Sequence, residues 1–195
     1  DERKKHTQKI DVSEEIQSVD ESEVIGFKPK KVGDITYDFP DPIIQEIKQR
    51  ADVVVLLGFN RILRGDILSA VPYGVLSFHG ADIRRYRGRP GRFFQWINGE
   101  EEIGLTLQRL NDELDGGEII LCKHTNIDDV QSLQAIKPRL LSLYGDLLVQ
   151  GLNRIEDPEF EPETPNLGTL TYSEEGDHLI NVMKALKRNI KSRYF

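Results

Sequence analysis

Apolar residues along the chain form continuous runs and alternating patterns that predict strands. The run at residues 53–57 is aliphatic and mostly β-branched and ends at Gly58, which is typical of a strand covered on both faces in a parallel sheet. Between Ile103 and Leu107, apolar residues alternate with glycine and polar residues, and this predicts a half-buried strand. Shorter apolar runs predict further strands at residues 24–27, 74–78 and 119–122.

Helical spacing of apolar residues predicts two longer helices. Asp41 followed by Pro42 favours a helix start, with an N-cap and then a proline in the first turn, and an apolar stripe continues to about residue 51. A long amphipathic helix is predicted over residues 132–155, with a kink or a late start at Pro138. Shorter helices are predicted at residues 65–70, 90–98 and 178–190.

Strands that alternate with helices indicate an α/β fold with parallel strands and right-handed crossovers. Ligands of such sheets bind beyond the carboxyl ends of the strands. Residues 58–61 follow one predicted strand, and residues 77–79 close the next. We therefore expect these two segments to face one crevice.

Composition limits the function only weakly. The 195 residues suit one domain, and 33 acidic against 26 basic residues give a net charge of −7, which argues against a surface built mainly to neutralise phosphates. Five arginines nonetheless cluster between residues 84 and 92, and they form either a solvated loop or a local basic patch. The five are Arg84, Arg85, Arg87, Arg89 and Arg92.

The single cysteine, Cys122, excludes an intramolecular disulfide and a cysteine metal cluster. It lies in an apolar run and is expected to be a buried thiol in a reducing compartment, the cytoplasm. The chain has no apolar run approaching the ~18–20 residues of a membrane span. We therefore expect no membrane partner.

Four short motifs follow one another between residues 74 and 119. They are Ser-Phe-His at 77–79, Tyr-Arg-Gly at 86–88, Asn-Gly at 98–99 and Leu-Asp-Gly-Gly at 114–117. Their order and spacing resemble the catalytic half of folate-dependent formyltransferases, the fold shared by glycinamide ribonucleotide, methionyl-tRNA and nucleotide-sugar formyltransferases. The resemblance implies an α/β, Rossmann-like fold with a mostly parallel sheet flanked by helices.

The resemblance also implies which residues carry the chemistry. Formyl transfer requires an acid–base group and donors aimed at a developing oxyanion. His79 is expected as the acid–base, because imidazole titrates near neutrality, and Asp115, 36 positions later, as its electrostatic partner. Ser77 stands where the family has asparagine and would be a partial substitute for that amide.

The implied formyl donor is 10-formyltetrahydrofolate, a co-substrate, and no metal is expected. In the family, two loops hold the folate partly through main-chain groups. In this chain the corresponding residues are Phe59, Asn60, Arg61, Ile62 and Leu63 in one loop, and Leu110, Asn111, Asp112 and Glu113 in the other.

The predicted function is therefore transfer of a formyl group to a primary amine, either on methionyl-tRNA or on an amino-sugar nucleotide. The arginine-rich segment could meet the phosphates of either acceptor. Recognition of tRNA in the family uses a second, C-terminal domain, and nothing of that size follows residue 156 in this chain. Two alternatives remain: hydrolysis of formyl-folate by water, and folate binding without turnover, which Ser77 would favour. The oligomeric state is left open.

The expected domain organisation has three parts. Residues 1–22 form a polar arm or surface helix, residues 23–156 the catalytic domain, and residues 157–195 an acidic linker with a C-terminal helix packed on the same domain. The chain does not begin with methionine, and its opening lacks the apolar strand with which family members start. We therefore expect a fragment without its N-terminal strand.

Overall fold

Strands and helices alternate along the chain, as the apolar patterns predict. The computed structural model describes residues 24–59, 61–89, 91–172 and Met183. In chain order the elements are β1 (Lys30–Lys31), β2 (Thr36–Asp38), α1 (Asp41–Arg50), β3 (Val54–Leu56), β4 (Ile62–Leu63), a 3-10 helix (Asp66–Ser69), β5 (Val75–His79), β6 (Tyr86–Arg89), α2 (Gly91–Ile97), β7 (Glu102–Arg109), β8 (Glu118–Asn126), α3 (Leu133–Ile155) and β9 (Thr169–Tyr172).

The central sheet has four strands in the order β3-β5-β7-β8. The α/β architecture is confirmed, and the sheet is mixed where a mostly parallel one is expected. Within this central sheet, β3 and β5 pair in parallel, whereas the β5–β7 and β7–β8 pairs are antiparallel. The eight-residue connection 110–117 between β7 and β8 holds no helix, and a connection without a crossover joins antiparallel strands. Two smaller sheets, β1-β2-β4 and β6-β9, complete the described part of the fold.

How deeply a strand is buried depends on whether it lies at the centre or the edge of the sheet, and not on how apolar its sequence is. Strand β7 is buried from Ile103 through Gln108, so the expectation of a half-buried strand is wrong. It lies between two partner strands, and α3 packs against it. Strand β3 is at the edge of the sheet, its residues are only partly buried, and Leu57 after it is exposed. The aliphatic run there does not mark a strand covered on both faces.

Helix α3 covers the sheet with one apolar stripe. Its Ser132 N-cap accepts the Ala135 N–H at 3.4 Å, and the helix starts at Leu133, five residues before Pro138, so there is no late start. Gly151 permits the helix to approach β7, because a Cβ there would lie 2.2 Å from Leu107 Cδ2. The helix is therefore seated directly on the most buried strand.

Two strands lie where the sequence predicts loops. Strand β6 falls in the arginine-rich segment, and β9 falls in the region expected to be an acidic linker; the two pair in parallel. Glu163 also forms a bridge to Ile119, so the chain after α3 returns to the sheet. No strand forms at residues 24–27, against the expectation.

The arm at residues 1–22 and all but one residue of the helix expected at 178–190 lie outside the described residues. The described helices include none long and apolar enough to cross a membrane.

Replacing Leu107 by alanine is expected to lower the free energy of unfolding by about 2–5 kcal/mol, because Leu107 is fully buried beneath α3 and its loss leaves a cavity. The matched control is Leu141→Ala on the outer side of α3, where the side chain is 54% exposed, with an expected change within about 0.5 kcal/mol. Urea unfolding of both variants measures the difference. Equal effects would show that β7 is not the centre of the core.

Candidate active site

A buried polar face on β5 and β7 forms the floor of the candidate site. Ser77 pairs with Gln108, and His79 pairs with Thr106 across the two strands. Residues two apart on a strand share a face, so these four side chains lie on one face of the sheet. Phe78 lies on the other face and contacts Tyr144 of α3, with ring centroids 4.6 Å apart.

His79 is buried with a partner at each ring nitrogen. Its Nδ1 lies 3.4 Å from Asp115 Oδ1, and its Nε2 lies 3.1 Å from the Tyr86 carbonyl oxygen. Neutral imidazole has one N–H and can donate to only one of these acceptors, whereas imidazolium can donate to both. A Cβ on Gly91 would lie 3.1 Å from Nε2, so a residue with a side chain would crowd the imidazole there. The ring is therefore fixed in orientation.

Asp115 reaches His79 from the connection between β7 and β8. Its φ of +44° makes it the one non-glycine residue with a positive φ in the described chain, and such conformations cluster at functional turns. Its Oδ2 accepts the Gly88 N–H at 2.9 Å, which leaves Oδ1 facing His79. The 3.4 Å contact is longer than a good hydrogen bond.

Arg87 holds the backbone around Asp115. Its Nη2 donates to the Leu114 carbonyl at 2.7 Å and its Nε to the Asp115 carbonyl at 3.2 Å. The same Nη2 meets Glu113 Oε1 at 3.1 Å. The Arg87 side chain is only 11% exposed, whereas that of Glu113 is 55% exposed. The two charge-assisted bonds to the carbonyls are therefore the ones largely shielded from water. Strand β6 thus fixes the conformation that aims Asp115 at His79.

The other end of the same connection is anchored to the sheet. Gly117 donates its N–H to the buried Gln108 Oε1 at 3.1 Å. A Cβ at Gly117 would lie 2.1 Å from the Arg109 carbonyl oxygen, so the close approach requires glycine. The Asn111 side chain donates to the Gly116 carbonyl at 3.1 Å and accepts the Glu113 N–H at 2.9 Å. The loop is held along its whole length.

The two loops expected to bind folate meet in the structure. Phe59 and Leu110 pack on the same apolar cluster, and Arg64 pairs with Asp112 at 3.5 Å and donates to its carbonyl. Leu63 belongs to β4 and is buried in that cluster, so its side chain serves packing.

The remaining members of the two loops are placed as follows. Arg61 is exposed, and its guanidinium carbon lies 5.9 Å from the centre of the Tyr37 ring. Ile62 is half-buried in β4. Asn60 lies outside the described residues.

The arginine-rich segment is largely neutralised by acidic partners. Arg84 pairs with Glu163 at 3.0 Å, and Arg85 pairs with Glu100 at 2.6 Å. Arg87 is committed to the Asp115 loop, as described above. Among the side chains that the structure describes, Arg92 is the one exposed arginine of this segment without an acidic partner. The side chain of Arg89 lies outside the description. An open basic patch of five residues does not form.

A comparison with known protein families shows which family this chain belongs to. The formyl transferase family matches residues 7–152 of the 195-residue chain. The chain belongs to the formyl transferase family. A methionyl-tRNA formyltransferase of Fusobacterium nucleatum is 28% identical to this family member over 131 residues, which are 67% of this chain and 42% of that relative. The chain thus spans about two fifths of the length of such curated relatives.

Solved structures show that the fold is shared. The formyltransferase PseJ of Anoxybacillus kamchatkensis superposes with a TM-score of 0.59 at 16% identity, over 72% of this chain and 79% of that one. Glycinamide ribonucleotide transformylase 1 of Symbiobacterium toebii gives 0.55 at 18% identity, over 64% and 61% of the two chains. At these identities the similarity establishes the fold alone.

The structure brings together His79 and Asp115, which the motif spacing selected, and it places Ser77 on the same sheet face. Their chemical roles stay predictions. Sequence reasoning missed the part played by Arg87, which it assigned to a basic cluster. The signal was present in the Tyr-Arg-Gly motif, where the arginine stands between a carbonyl facing His79 and an N–H bonded to Asp115.

Replacing Arg87 by alanine is expected to loosen residues 113–117, because each lost hydrogen bond from a charged donor is worth about 1.5–3 kcal/mol. Hydrogen–deuterium exchange should therefore become at least tenfold faster in this loop and little changed in β8. The control is Arg85→Ala, whose side chain is 60% exposed and pairs with Glu100. Unchanged protection of the loop in Arg87→Ala would contradict the role assigned to Arg87.

Proposed function

We propose that this protein transfers a formyl group from 10-formyltetrahydrofolate to a primary amine. The observation that carries the proposal is the contact between buried His79 and Asp115 in a member of the formyl transferase family. A positioned imidazole with a carboxylate partner is the acid–base device that acyl transfer to an amine needs. His79 is buried, and burial lowers the effective dielectric constant and strengthens its interaction with Asp115.

A folate donor fits the loops beside this face. The PseJ structure contains tetrahydrofolate, together with a formamido-sugar nucleotide. In this chain, Phe59 and Leu110 provide an apolar wall, and the Arg64–Asp112 contact joins the two loops. Asn111 and Glu113 are occupied in shaping the second loop, so recognition there would use main-chain groups. When bound, 10-formyltetrahydrofolate supplies the formyl group on a nitrogen that can leave.

With the Nε2–H donated to the Tyr86 carbonyl, His79 would accept a proton from the attacking amine at Nδ1, on the side of Asp115, and return it toward the leaving nitrogen. Asp115 stabilises the imidazolium that forms in between. At a separation of 3.4 Å, two full opposite charges attract each other by about 5 kcal/mol at an effective dielectric constant near 20. The Tyr86 carbonyl keeps the ring from rotating out of this geometry. His79 is thus the acid–base residue, and Arg87 acts through Asp115 as a positioning residue.

Ser77 would donate a hydrogen bond to the developing oxyanion. It precedes His79 by two positions on β5 and is half-buried on the same face. Its hydroxyl provides one donor and reaches less far than the amide that the family has at this place. We therefore expect turnover below what a longer donor would allow.

The acceptor is proposed as a class, a primary amine, with two candidates. The curated relatives are methionyl-tRNA formyltransferases, and PseJ was solved with a formamido-sugar nucleotide. Arg92 is an exposed cation at the start of α2. It could contact a phosphate of either acceptor. Both amines should therefore be assayed side by side.

The decisive assay follows formation of the formylated amine by mass spectrometry. His79→Ala and Asp115→Asn are each expected to lower kcat by about 10²–10⁴, the range for loss of acid–base catalysis. The control is Asp52→Asn, a matched loss of a carboxylate from an exposed side chain just before β3, at the opposite end of the strands. It should retain wild-type turnover. Turnover that survives His79→Ala would contradict the assignment.

Replacing Ser77 by asparagine is expected to raise kcat by about tenfold, because one oxyanion donor is worth on the order of 10²–10³ when fully placed. The KM for the formyl donor should stay unchanged, since the folate loops are not altered. A fall in kcat would show that Ser77 is adapted to its own acceptor rather than serving as a weaker donor. Circular dichroism checks that the variant is folded.

A further inference from the structure

A second cluster of polar side chains lies beside the candidate active site on the same sheet face. It consists of Asp82, Cys122 and His124, whose potential ligand atoms all lie within 4.8 Å of one another. Cys122 is the cross-strand partner of Thr106, which in turn pairs with His79. With about 4.8 Å between neighbouring strands, Cys122 is roughly 10 Å from His79. The cluster is therefore close to the proposed acid–base pair but separate from it.

The separations suit a small divalent cation. His124 Nε2 and Asp82 Oδ2 are 3.3 Å apart. Two ligands that each bind zinc at about 2.0 Å with a tetrahedral angle are also roughly 3.3 Å apart. The potential ligand atoms of all three residues lie within 4.8 Å of one another, and a zinc–sulfur bond of about 2.3 Å in a tetrahedral set places sulfur roughly 3.5 Å from each of the other two ligand atoms. A shift of Cys122 Sγ on the order of an ångström therefore completes the set.

The donor types select the class of metal. A thiolate, an imidazole and one carboxylate favour zinc and similar late first-row cations, and they are poor ligands for magnesium or calcium. Three protein ligands leave a fourth position for water or a ligand group. Burial raises the pKa of Cys122, so the thiol holds its proton until a metal replaces it and the proton passes to solvent.

Asp82 is held as a carboxylate, the form that binds a metal. Burial raises the pKa of Asp82, but the hydrogen bond with His124 and the charge of Arg84 together hold it below its usual value. Arg84 Nη1 competes for Asp82 Oδ2 at 3.3 Å, yet its Nε also pairs with Glu163 at 3.0 Å. Arg84 can therefore keep one carboxylate partner while Asp82 binds a metal.

An acidic cavity opens from the cluster to the surface. It has a volume of about 500 Å³, and both Asp82 and His124 line it. Glu100, Glu101 and Glu102 stand around it and add negative charge. Arg85 also lines the cavity and pairs with Glu100, so the remaining carboxylates leave the lining with a net negative charge. Net negative walls raise the local concentration of cations. A cation thus has a path to the cluster.

We propose that Asp82, Cys122 and His124 form a binding site for Zn²⁺. The sequence does not predict it, because Cys-x-His at 122–124 lacks the spacing of a common zinc motif and Asp82 lies forty residues earlier. The fold supplies the juxtaposition: Cys122 and His124 share one face of β8, and the chain after β5 brings Asp82 over that face. The ion would join β8 to the segment that leads into β6, and so support the strand that carries Arg87.

The test uses Co²⁺ as a spectroscopic substitute on the intact chain, in a chelator-free buffer with the thiol reduced. A cobalt–thiolate bond gives a charge-transfer absorption band. Because Cys122 is the only cysteine, such a band at one Co²⁺ per chain reports this site. One equivalent of Zn²⁺ is expected to abolish the band, and excess Mg²⁺ to leave it unchanged. Absence of the band in the wild-type protein would overturn the proposal, whatever the variants do.

Two variants and a control test the ligand set by competition titration. Cys122→Ser is expected to remove the band and to weaken Zn²⁺ binding by at least tenfold, and His124→Gln to weaken binding by a similar factor. The control is His178→Gln, which replaces a histidine that is not one of the three proposed ligands. This variant should bind Zn²⁺ with wild-type affinity. Unchanged Zn²⁺ affinity in both cluster variants would show binding elsewhere on the surface and would also overturn the proposal.

Discussion

The structure depends on satisfying the polar groups that β7 buries at the centre of the sheet. Thr106 and Gln108 are almost completely buried, and an unpaired polar group in such a place costs about 1–3 kcal/mol. Thr106 Oγ1 donates to the Ala81 carbonyl at 2.7 Å, and Gln108 Oε1 accepts the Gly117 N–H. The Gly104 N–H finds Gln95 Oε1 at 3.1 Å. These three bonds draw the segment after β5, the Asp115 loop and α2 together over one face, where His79 lies.

Sequence patterns predicted the elements better than their arrangement. The periodicity of α3 placed its ends within a residue, because a long amphipathic stripe is a local signal. Strand direction and burial depend on contacts between distant parts of the chain, and local sequence patterns do not encode them. Strand β3 has the most aliphatic run but is at the edge of the sheet, whereas β7 has an alternating pattern and is buried. The polar side chains of β7 face other polar groups rather than water, and the alternation therefore gave a false impression of exposure.

In the candidate site, too, the sequence predicted the residues but not the contacts that hold them in place. Motif order was enough to select His79 and Asp115, since the residue types and their spacing are visible in the sequence. The supports of these residues were not visible, because they come from distant contacts: Arg87 reaches carbonyls 27 and 28 positions away, and Gln108 binds an N–H nine positions later. Arg87 was read as surface charge because its neighbours are arginines. Its burial depends on the pairing of β6 with β9, which no local pattern indicates.

The central proposal is that the loops at residues 59–63 and 110–113 bind a formyl-folate, and direct calorimetric titration tests it. The protein and its His79→Ala variant are each titrated with a non-hydrolysable 10-formylfolate analogue. Because the two loops proposed to bind folate are shaped by Phe59, Leu110 and the Arg64–Asp112 contact rather than by His79, saturable one-to-one binding is expected in both proteins. Absence of binding in the folded wild-type protein would contradict the claim and leave a formyl transferase fold with a different ligand.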